Sequence, residues 1–140
     1  MIFLGGAVGA LLRYSILSGL NSYPINVIGV MAVNFLGCFF IGLVSYIAIK
    51  KYNLISDKLN KFLTVGFAGG FTTFSAFSQP VLEMLIKHHY MYATLNMFIS
   101  VIGGLILVAW GMNCGYYIMN YLIKTKRLKL KNLKDLELLL

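Results

Sequence analysis

The sequence predicts an all-α membrane protein with four transmembrane helices per subunit, and three observations support this fold class. Hydrophobic residues make up 59% of the 140-residue chain, whereas charged residues make up only 11%. The mean hydropathy is +0.82, which is more apolar character than a soluble domain of this size can bury. Uncharged runs of about twenty residues recur along the chain, and each could cross a hydrocarbon core of about 30 Å as a helix.

The positions of the polar and charged residues set the limits of the four spans. A turn over Asn21 to Pro24, the polar loop Lys50 to Lys61 and the connection Lys87 to Tyr90 separate the apolar runs. We therefore expect spans at about residues 2–20, 25–49, 62–86 and 93–118, within one transmembrane domain over residues 1–123. The basic tail, residues 124–140, is either a helix lying on anionic lipid or a frayed, solvated segment.

Glycines recur at a spacing of four residues inside three of the predicted spans. Small residues at this spacing allow helix backbones to approach closely in a membrane. The pattern therefore predicts compact helix packing, but it indicates nothing about a transported substrate. The three pairs are Gly5 and Gly9, Gly66 and Gly70, and Gly111 and Gly115.

Basic residues are distributed unevenly between the two sides of the predicted spans. Four lie in the loop Lys50 to Lys61 and six in the tail, both on the side of the N-terminus, while the opposite side has only Lys87. Because positively charged flanks stay in the cytoplasm, ten against one predicts that both termini are cytoplasmic in a plasma-membrane protein.

The third span contains a dense polar cluster from Gly66 to Pro80. Its adjacent glycines and two threonines weaken helix propensity in the middle of the span, so we expect the third helix to be broken there. Unwound backbone at this depth is tolerated only where protein or water satisfies its polar groups. Exposed carbonyls at such a break could hold a cation, and the N-terminus of the restarting helix favours an anion.

Phenylalanines and serines alternate after the predicted break, at Phe74, Ser75, Phe77 and Ser78. A small dehydrated anion accepts hydrogen bonds, so hydroxyl groups and the electropositive edges of phenyl rings could line its path. The alternatives are that the phenyl rings pack against lipid or other helices, and that each hydroxyl bonds the carbonyl four residues earlier.

Further polar residues lie inside the other predicted spans. Asn34 could line a path or bridge two helices, and Asn96 and Ser100, four residues apart, could do either as well. Arg13 is the only basic residue within a span. It either snorkels to the membrane boundary or lies in a watery vestibule that attracts anions, and we favour the vestibule.

Three motifs together resemble the Fluc (CrcB) family of fluoride channels. They are Gly-Gly-x-x-Gly-Ala-x-x-Arg-Tyr from Gly5 to Tyr14, Val33-Asn34-x-x-Gly37, and the long run Gly66 to Ser78. The resemblance covers nearly the whole chain. It implies an antiparallel, dual-topology dimer with two fluoride pores along the subunit interface and a structural, untransported sodium ion at its centre.

The family's functional residues carry over by motif. The resemblance implies that the backbone carbonyls of Gly69 and Thr72 bind sodium and that Phe74 and Phe77 line the pores. It assigns Asn34 to the pore, Arg13 to the vestibule and Ser75 and Ser78 to a polar track, and we group Ser100 with the pore residues. The implied function is passive export of fluoride from the cytoplasm, which reduces its toxicity.

Four residues depart from the family pattern, namely Val30, Ala76, Pro80 and Asn96. Pro80 stands where the family often has glutamate, and the other three departures remove hydroxyl groups. The loss of hydroxyl groups puts in doubt whether both pores of a homodimer conduct equally well. Together with the charge bias, they favour a chain that inserts in one orientation and pairs with an oppositely oriented paralogue rather than with itself.

Three other functions are considered. A proton-coupled exporter of the small multidrug type requires a membrane-embedded carboxylate, but the only acid in a predicted span is the peripheral Glu83. A non-conducting partner subunit of a heterodimeric channel fits the glycine spacing but does not explain the polar break. We expect neither an enzyme nor a nucleic-acid partner, because no nucleophile with a base, metal cluster or phosphate loop is present.

Overall fold

The computed structural model describes residues 1–19, 27–49 and 55–137, with side chains as far as Thr125. All regular secondary structure in these residues is helical, which confirms the all-α class. The elements are α1 (Ile2–Gly19), α2 (Val27–Ile47), α3 (Asp57–Lys61), a π-helix (Phe62–Ala68), α4 (Gly69–Phe71), α5 (Ser75–Ile86) and α6 (Tyr90–Glu137).

Three stretches of helix are long and apolar enough to cross a membrane: Ile2–Gly19, Val27–Ile47 and Tyr90–Thr125. They correspond to the first, second and fourth predicted spans. The region of the third predicted span differs because α3, the π-helix and α4 run continuously to Phe71, and α5 begins only at Ser75. Neither part of this broken helix reaches the twenty or so residues that a transmembrane helix needs by itself.

The last helix is longer than the sequence predicts. We expected a span over residues 93–118 and a separate tail, but α6 runs from Tyr90 to Glu137 as one helix of 48 residues. Leucine, lysine, arginine and glutamate, which dominate the tail, are all good helix formers, so nothing in residues 118–137 ends the helix. The predicted turn at Asn21 to Pro24 lies outside the described residues.

Helix packing follows the glycine pairs, as the sequence predicts. Helix α1 packs against the π-helix and α4, and α2 packs along α6. A Cβ atom on Gly5 would lie 2.6 Å from the Phe62 carbonyl oxygen, and one on Gly66 would lie 2.6 Å from the Ile2 carbonyl oxygen. Since real Cβ atoms do not approach so closely, only glycine allows these two backbones to touch.

Local capping interactions define where two of the shorter helices begin and end. At the start of α3 the Ser56 hydroxyl accepts a hydrogen bond from the Leu59 N–H at 3.3 Å. After α5 the chain turns through His88, which has a φ of 58°. The His88 N–H donates to the Leu85 carbonyl and the His89 N–H to the Met84 carbonyl, which is the Schellman pattern of helix termination.

Candidate functional site

An open groove of about 610 Å³ runs beside the break in the third predicted span. One wall is formed by α2, and the π-helix, α4 and the start of α5 form another. Helix α6 contributes Ser100 and Val101. The groove therefore collects residues from three of the four spans in which the sequence analysis found polar residues, and the described part of the first span contributes none.

The break itself lies over residues 72–74, directly after the two glycines that open α4. Thr72 has a ψ of 156°, which is extended rather than helical backbone. Phe74 returns to helical backbone angles and leads into α5. The predicted interruption of the helix at the glycine-threonine sequence is thus present, and it opens onto the groove.

Asn34 on α2 forms two hydrogen bonds with the backbone of Thr73 at the break. Its Oδ1 accepts from the Thr73 N–H at 2.9 Å, and its Nδ2 donates to the Thr73 carbonyl at 3.1 Å. The sequence left open whether Asn34 lines a path or bridges two helices. In the structure Asn34 bridges α2 to the break. It also lies on the groove wall, where its second Nδ2 hydrogen remains available for another acceptor.

Two hydroxyl groups near the break donate to the carbonyl four residues earlier, which is one of the two arrangements that the sequence left open. The Thr72 hydroxyl donates to the Ala68 carbonyl at 2.8 Å, and the Ser78 hydroxyl donates to the Phe74 carbonyl at 2.9 Å. Because a hydroxyl group has a single proton, neither can donate to a bound anion while these bonds persist.

Ser75 has a different environment. Its hydroxyl lies 3.1 Å from the hydroxyl of Thr73, which also accepts from the Ala76 N–H at 3.2 Å. Only one proton is used between the two hydroxyl groups, so one of the pair keeps a free proton. Thr73 is 9% exposed while Ser75 is exposed, and either hydroxyl can be the donor between them.

The two phenylalanines after the break both lie on the groove wall. Their ring centroids are 5.8 Å apart with an interplanar angle of 47°. Phe74 is 80% exposed, which is unusual for a phenyl ring beside unwound backbone. A second, separate aromatic cluster of Phe40, Phe67 and Phe71 packs inside the subunit, so the groove pair is not part of the core.

The groove brings together six of the nine residues that the sequence analysis assigned to a site, and three lie elsewhere. Gly69, Thr72, Phe74, Phe77, Asn34 and Ser100 are on its wall, whereas Ser75, Ser78 and Arg13 are not. Ser75 and Ser78 follow the groove phenylalanines along α5, and Arg13 is a partly exposed residue of α1. Asn96 lies off the wall as well, and its carboxamide accepts from the Ser100 hydroxyl at 3.4 Å.

Thr73 is the site residue that sequence reasoning did not single out. It pairs with Asn34, caps the start of α5 through Ala76 and contacts Ser75. A threonine three residues before a helical N–H is a recognised capping signal, so the contact with Ala76 could have been predicted. The pairing with Asn34 could not, because it depends on the distance between two elements 39 residues apart.

The fold and the groove define a class of protein: a helical membrane protein with a helix break and an aromatic pair at its surface. The described residues contain no group of three or more His, Cys, Asp or Glu that could hold a metal ion. Residues 1–112 match the family model described as "CrcB-like protein, Camphor Resistance (CrcB)". The chain belongs to the CrcB family, whose curated members are ion channels and not enzymes.

Curated relatives agree with this family membership. The chain is 34% identical over 116 residues to a protein of Chlorobium phaeobacteroides named "Fluoride-specific ion channel FluC", with 80% of this chain and 88% of the relative covered. It is 38% identical over 113 residues to "Fluoride-specific ion channel FluC 1" of Methanosarcina acetivorans, with 79% and 85% covered. A Geobacter sulfurreducens relative with the FluC name is 40% identical over 98 residues, with 69% and 78% covered.

Proposed function

We propose that this chain forms a fluoride-specific channel in the plasma membrane and that fluoride leaves the cytoplasm through it passively. The observation that carries the proposal is the pair Phe74 and Phe77 on the wall of a groove at a helix break. The names of the curated relatives supply the ion.

The groove residues suit a small anion chemically. The edges of the Phe74 and Phe77 rings carry partial positive charge, and the second Nδ2 hydrogen of Asn34 can donate to the ion. Ser100 adds a hydroxyl from α6, since its present bond to Asn96 is long at 3.4 Å and easily exchanged. Among the residues that the structure describes, none on the groove wall carries a carboxylate that would repel the ion.

The same geometry supports a dimer in which a second subunit covers the groove. Unwound backbone facing hydrocarbon would leave polar groups unsatisfied, at a cost of several kcal/mol each. The backbone of the break therefore needs a protein partner or water rather than lipid, and a partner there would also cover the ring of Phe74, which is 80% exposed. An antiparallel subunit would meet these requirements and form two equivalent paths along the interface.

A structural sodium ion at the dimer centre is part of the proposal. Sodium binds oxygen ligands, as other hard cations do, and backbone carbonyls at a helix break are suitable ligands. Gly69 and Thr72 fit this role because both line the groove, and Thr72 has left the helical conformation. A Cβ atom built on Gly69 would have nothing within 4 Å, so the space beside it is open. Their carbonyls would hold the ion, which would supply a fixed positive charge between the subunits.

We further propose that the partner subunit is an oppositely oriented paralogue rather than a second copy of this chain. The bias of ten basic residues against one favours a single orientation, with both termini in the cytoplasm. Labelling of single cysteines at the two membrane faces tests this point. Labelling that shows this chain in both orientations would support a homodimer instead.

Ion-selective electrodes can test the channel directly. Liposomes containing this chain alone in sodium salt should be compared with liposomes that also contain an oppositely oriented family member. Fluoride efflux without chloride efflux in either preparation supports the channel, and the preparation that conducts identifies the pairing. Equal release of fluoride and chloride in both would contradict a fluoride-specific channel.

A further inference from the structure

The hydrogen bonds around the break indicate how two particular carbonyls become available. In an uninterrupted α-helix, each N–H donates to the carbonyl four residues earlier. Gly69 would therefore receive the Thr73 N–H, and Thr72 would receive the Ala76 N–H. In this chain both N–H groups donate elsewhere.

Asn34 takes the first of these donors. The Thr73 N–H donates to Asn34 Oδ1 at 2.9 Å, and the Asn34 amide returns a bond to the Thr73 carbonyl at 3.1 Å. The paired geometry fixes the peptide groups on both sides of Thr73 relative to α2. As a result, the carbonyl of Gly69 loses its helical donor without leaving a buried N–H unsatisfied.

Thr73 takes the second donor through its own side chain. Its hydroxyl accepts the Ala76 N–H at 3.2 Å, so the carbonyl of Thr72 also loses its helical donor. The carbonyls on either side of the break contrast with this arrangement. The Ala68 carbonyl accepts both the N–H and the hydroxyl of Thr72, and the Phe74 carbonyl accepts both the N–H and the hydroxyl of Ser78.

We infer that Asn34 and Thr73 are positioning residues that withdraw two amide donors so that the carbonyls of Gly69 and Thr72 can bind a cation. This inference rests on the proposed sodium site. Ordinary helix capping would explain why the Thr73 and Ala76 N–H groups are satisfied. It would not explain why the carbonyls of Gly69 and Thr72 are the ones whose donors are withdrawn. The carbonyls of Gly70 and Phe71 also lack their helical donors at the break, since no backbone hydrogen bond joins them to the Phe74 or Ser75 N–H. Gly69 and Thr72 differ because a side chain takes their donors, and the family motif assigns the same two carbonyls to sodium.

Sodium titration of the purified full-length protein tests the inference. The thermal midpoint in detergent is measured while sodium replaces N-methylglucamine at constant ionic strength, and the sodium concentration for half the effect is recorded. A purely structural role of Thr73 would lower the midpoint at every sodium concentration. A positioning role would instead raise the half-effect concentration.

The variants separate these roles. Thr73→Val keeps the shape but removes the hydroxyl, and we expect its half-effect concentration to rise by about tenfold or more, as for other residues that orient metal ligands. Thr73→Ser restores the hydroxyl and should return it to the wild-type value. Thr125→Val is the matched control, since it removes a hydroxyl that bonds the Tyr121 carbonyl at the far end of α6.

Asn34→Asp gives a second test that does not depend on Thr73. It keeps the acceptor for the Thr73 N–H but loses the amide donor, so the half-effect concentration should rise less than in Asn34→Leu. An unchanged half-effect concentration in Thr73→Val and Asn34→Leu would overturn the inference, and so would a wild-type midpoint that does not respond to sodium. Fluoride efflux by the wild-type protein is measured in parallel, and it tests the proposed channel independently of the sodium titration.

Discussion

The rings of Phe74 and Phe77 lie 5.8 Å apart on the wall of a groove whose other residues come from α2, the π-helix, α4, the break and α6. Phe74 precedes α5 and Phe77 lies in its first turn, so the start of this helix determines their spacing. The position of the pair depends on the break, where Asn34 bonds the backbone of Thr73.

Replacing either phenylalanine by isoleucine should abolish fluoride efflux. The aliphatic side chain fills similar space but lacks the electropositive ring edge that a dehydrated anion can contact. We expect flux in Phe74→Ile or Phe77→Ile to fall to the leak rate of protein-free liposomes, with an unchanged elution volume on size exclusion. Phe3→Ile, at an exposed position of α1, serves as the control, and sustained flux in both groove variants would refute the assigned role.

Ser75 and Ser78 should differ in their importance for flux, although the sequence treats them alike. The Ser78 proton is committed to the Phe74 carbonyl, whereas the exposed Ser75 hydroxyl can accept from Thr73 and keep its own proton for another acceptor. If Ser75 meets the ion, a hydrogen bond to a charged group is worth about 1.5–3 kcal/mol, so Ser75→Ala should slow efflux by roughly tenfold or more. Ser78→Ala should remain close to wild type, and the reverse order would contradict this distinction.

Gly69 and Gly70 are neighbours with opposite tolerance for a side chain. A Cβ atom on Gly70 would lie 2.8 Å from the Gly6 Cα, whereas one on Gly69 would have nothing within 4 Å. Gly70→Ala should therefore lower the free energy of unfolding by about 3 kcal/mol through overpacking, and Gly69→Ala should leave it nearly unchanged. Equilibrium unfolding in mixed micelles measures both, and equal destabilisation would show that backbone flexibility rather than packing explains these glycines.

His88 ends α5 in the left-handed region, with a φ of 58°. Glycine adopts this conformation without the steric cost that a Cβ atom imposes. His88→Gly should consequently be more stable than His88→Ala by about 1 kcal/mol. Tyr90→Phe measures the separate contribution of the 2.8 Å contact between the Tyr90 hydroxyl and His88 Nδ1, and identical stabilities of the glycine and alanine variants would argue against strain at this turn.

Much of the fold could be predicted from composition and local pattern. Three spans and the position of the break follow from apolar runs and from the sequence Gly69-Gly70-Phe71-Thr72-Thr73, because lipid and helix propensity act on short stretches of chain. The limits of the fourth membrane span remain a prediction, and composition left open whether the tail is helical. In the structure α6 continues through the tail to Glu137. The π-helix before Gly69 has no comparable sequence signal.

The candidate site was only partly predictable for a physical reason. Residue type and spacing identify which groups could contact an anion, and they brought Phe74, Phe77 and Asn34 to attention. They do not reveal which hydroxyl protons are already used, because Ser75 and Ser78 differ only in the partners that three-dimensional packing provides. Thr73 was overlooked for the same reason.

The length of α6 has a consequence for any antiparallel pair. At about 1.5 Å per residue, its 48 residues extend about 70 Å, more than twice the thickness of the hydrocarbon core. In the proposed topology each subunit would extend a basic helix on the side of its own termini. A pair of identical chains would extend basic helices on both faces of the membrane, and one set of six basic residues would have to cross the membrane during insertion. Pairing with a paralogue that lacks this basic helix would instead give a channel with two chemically different ends.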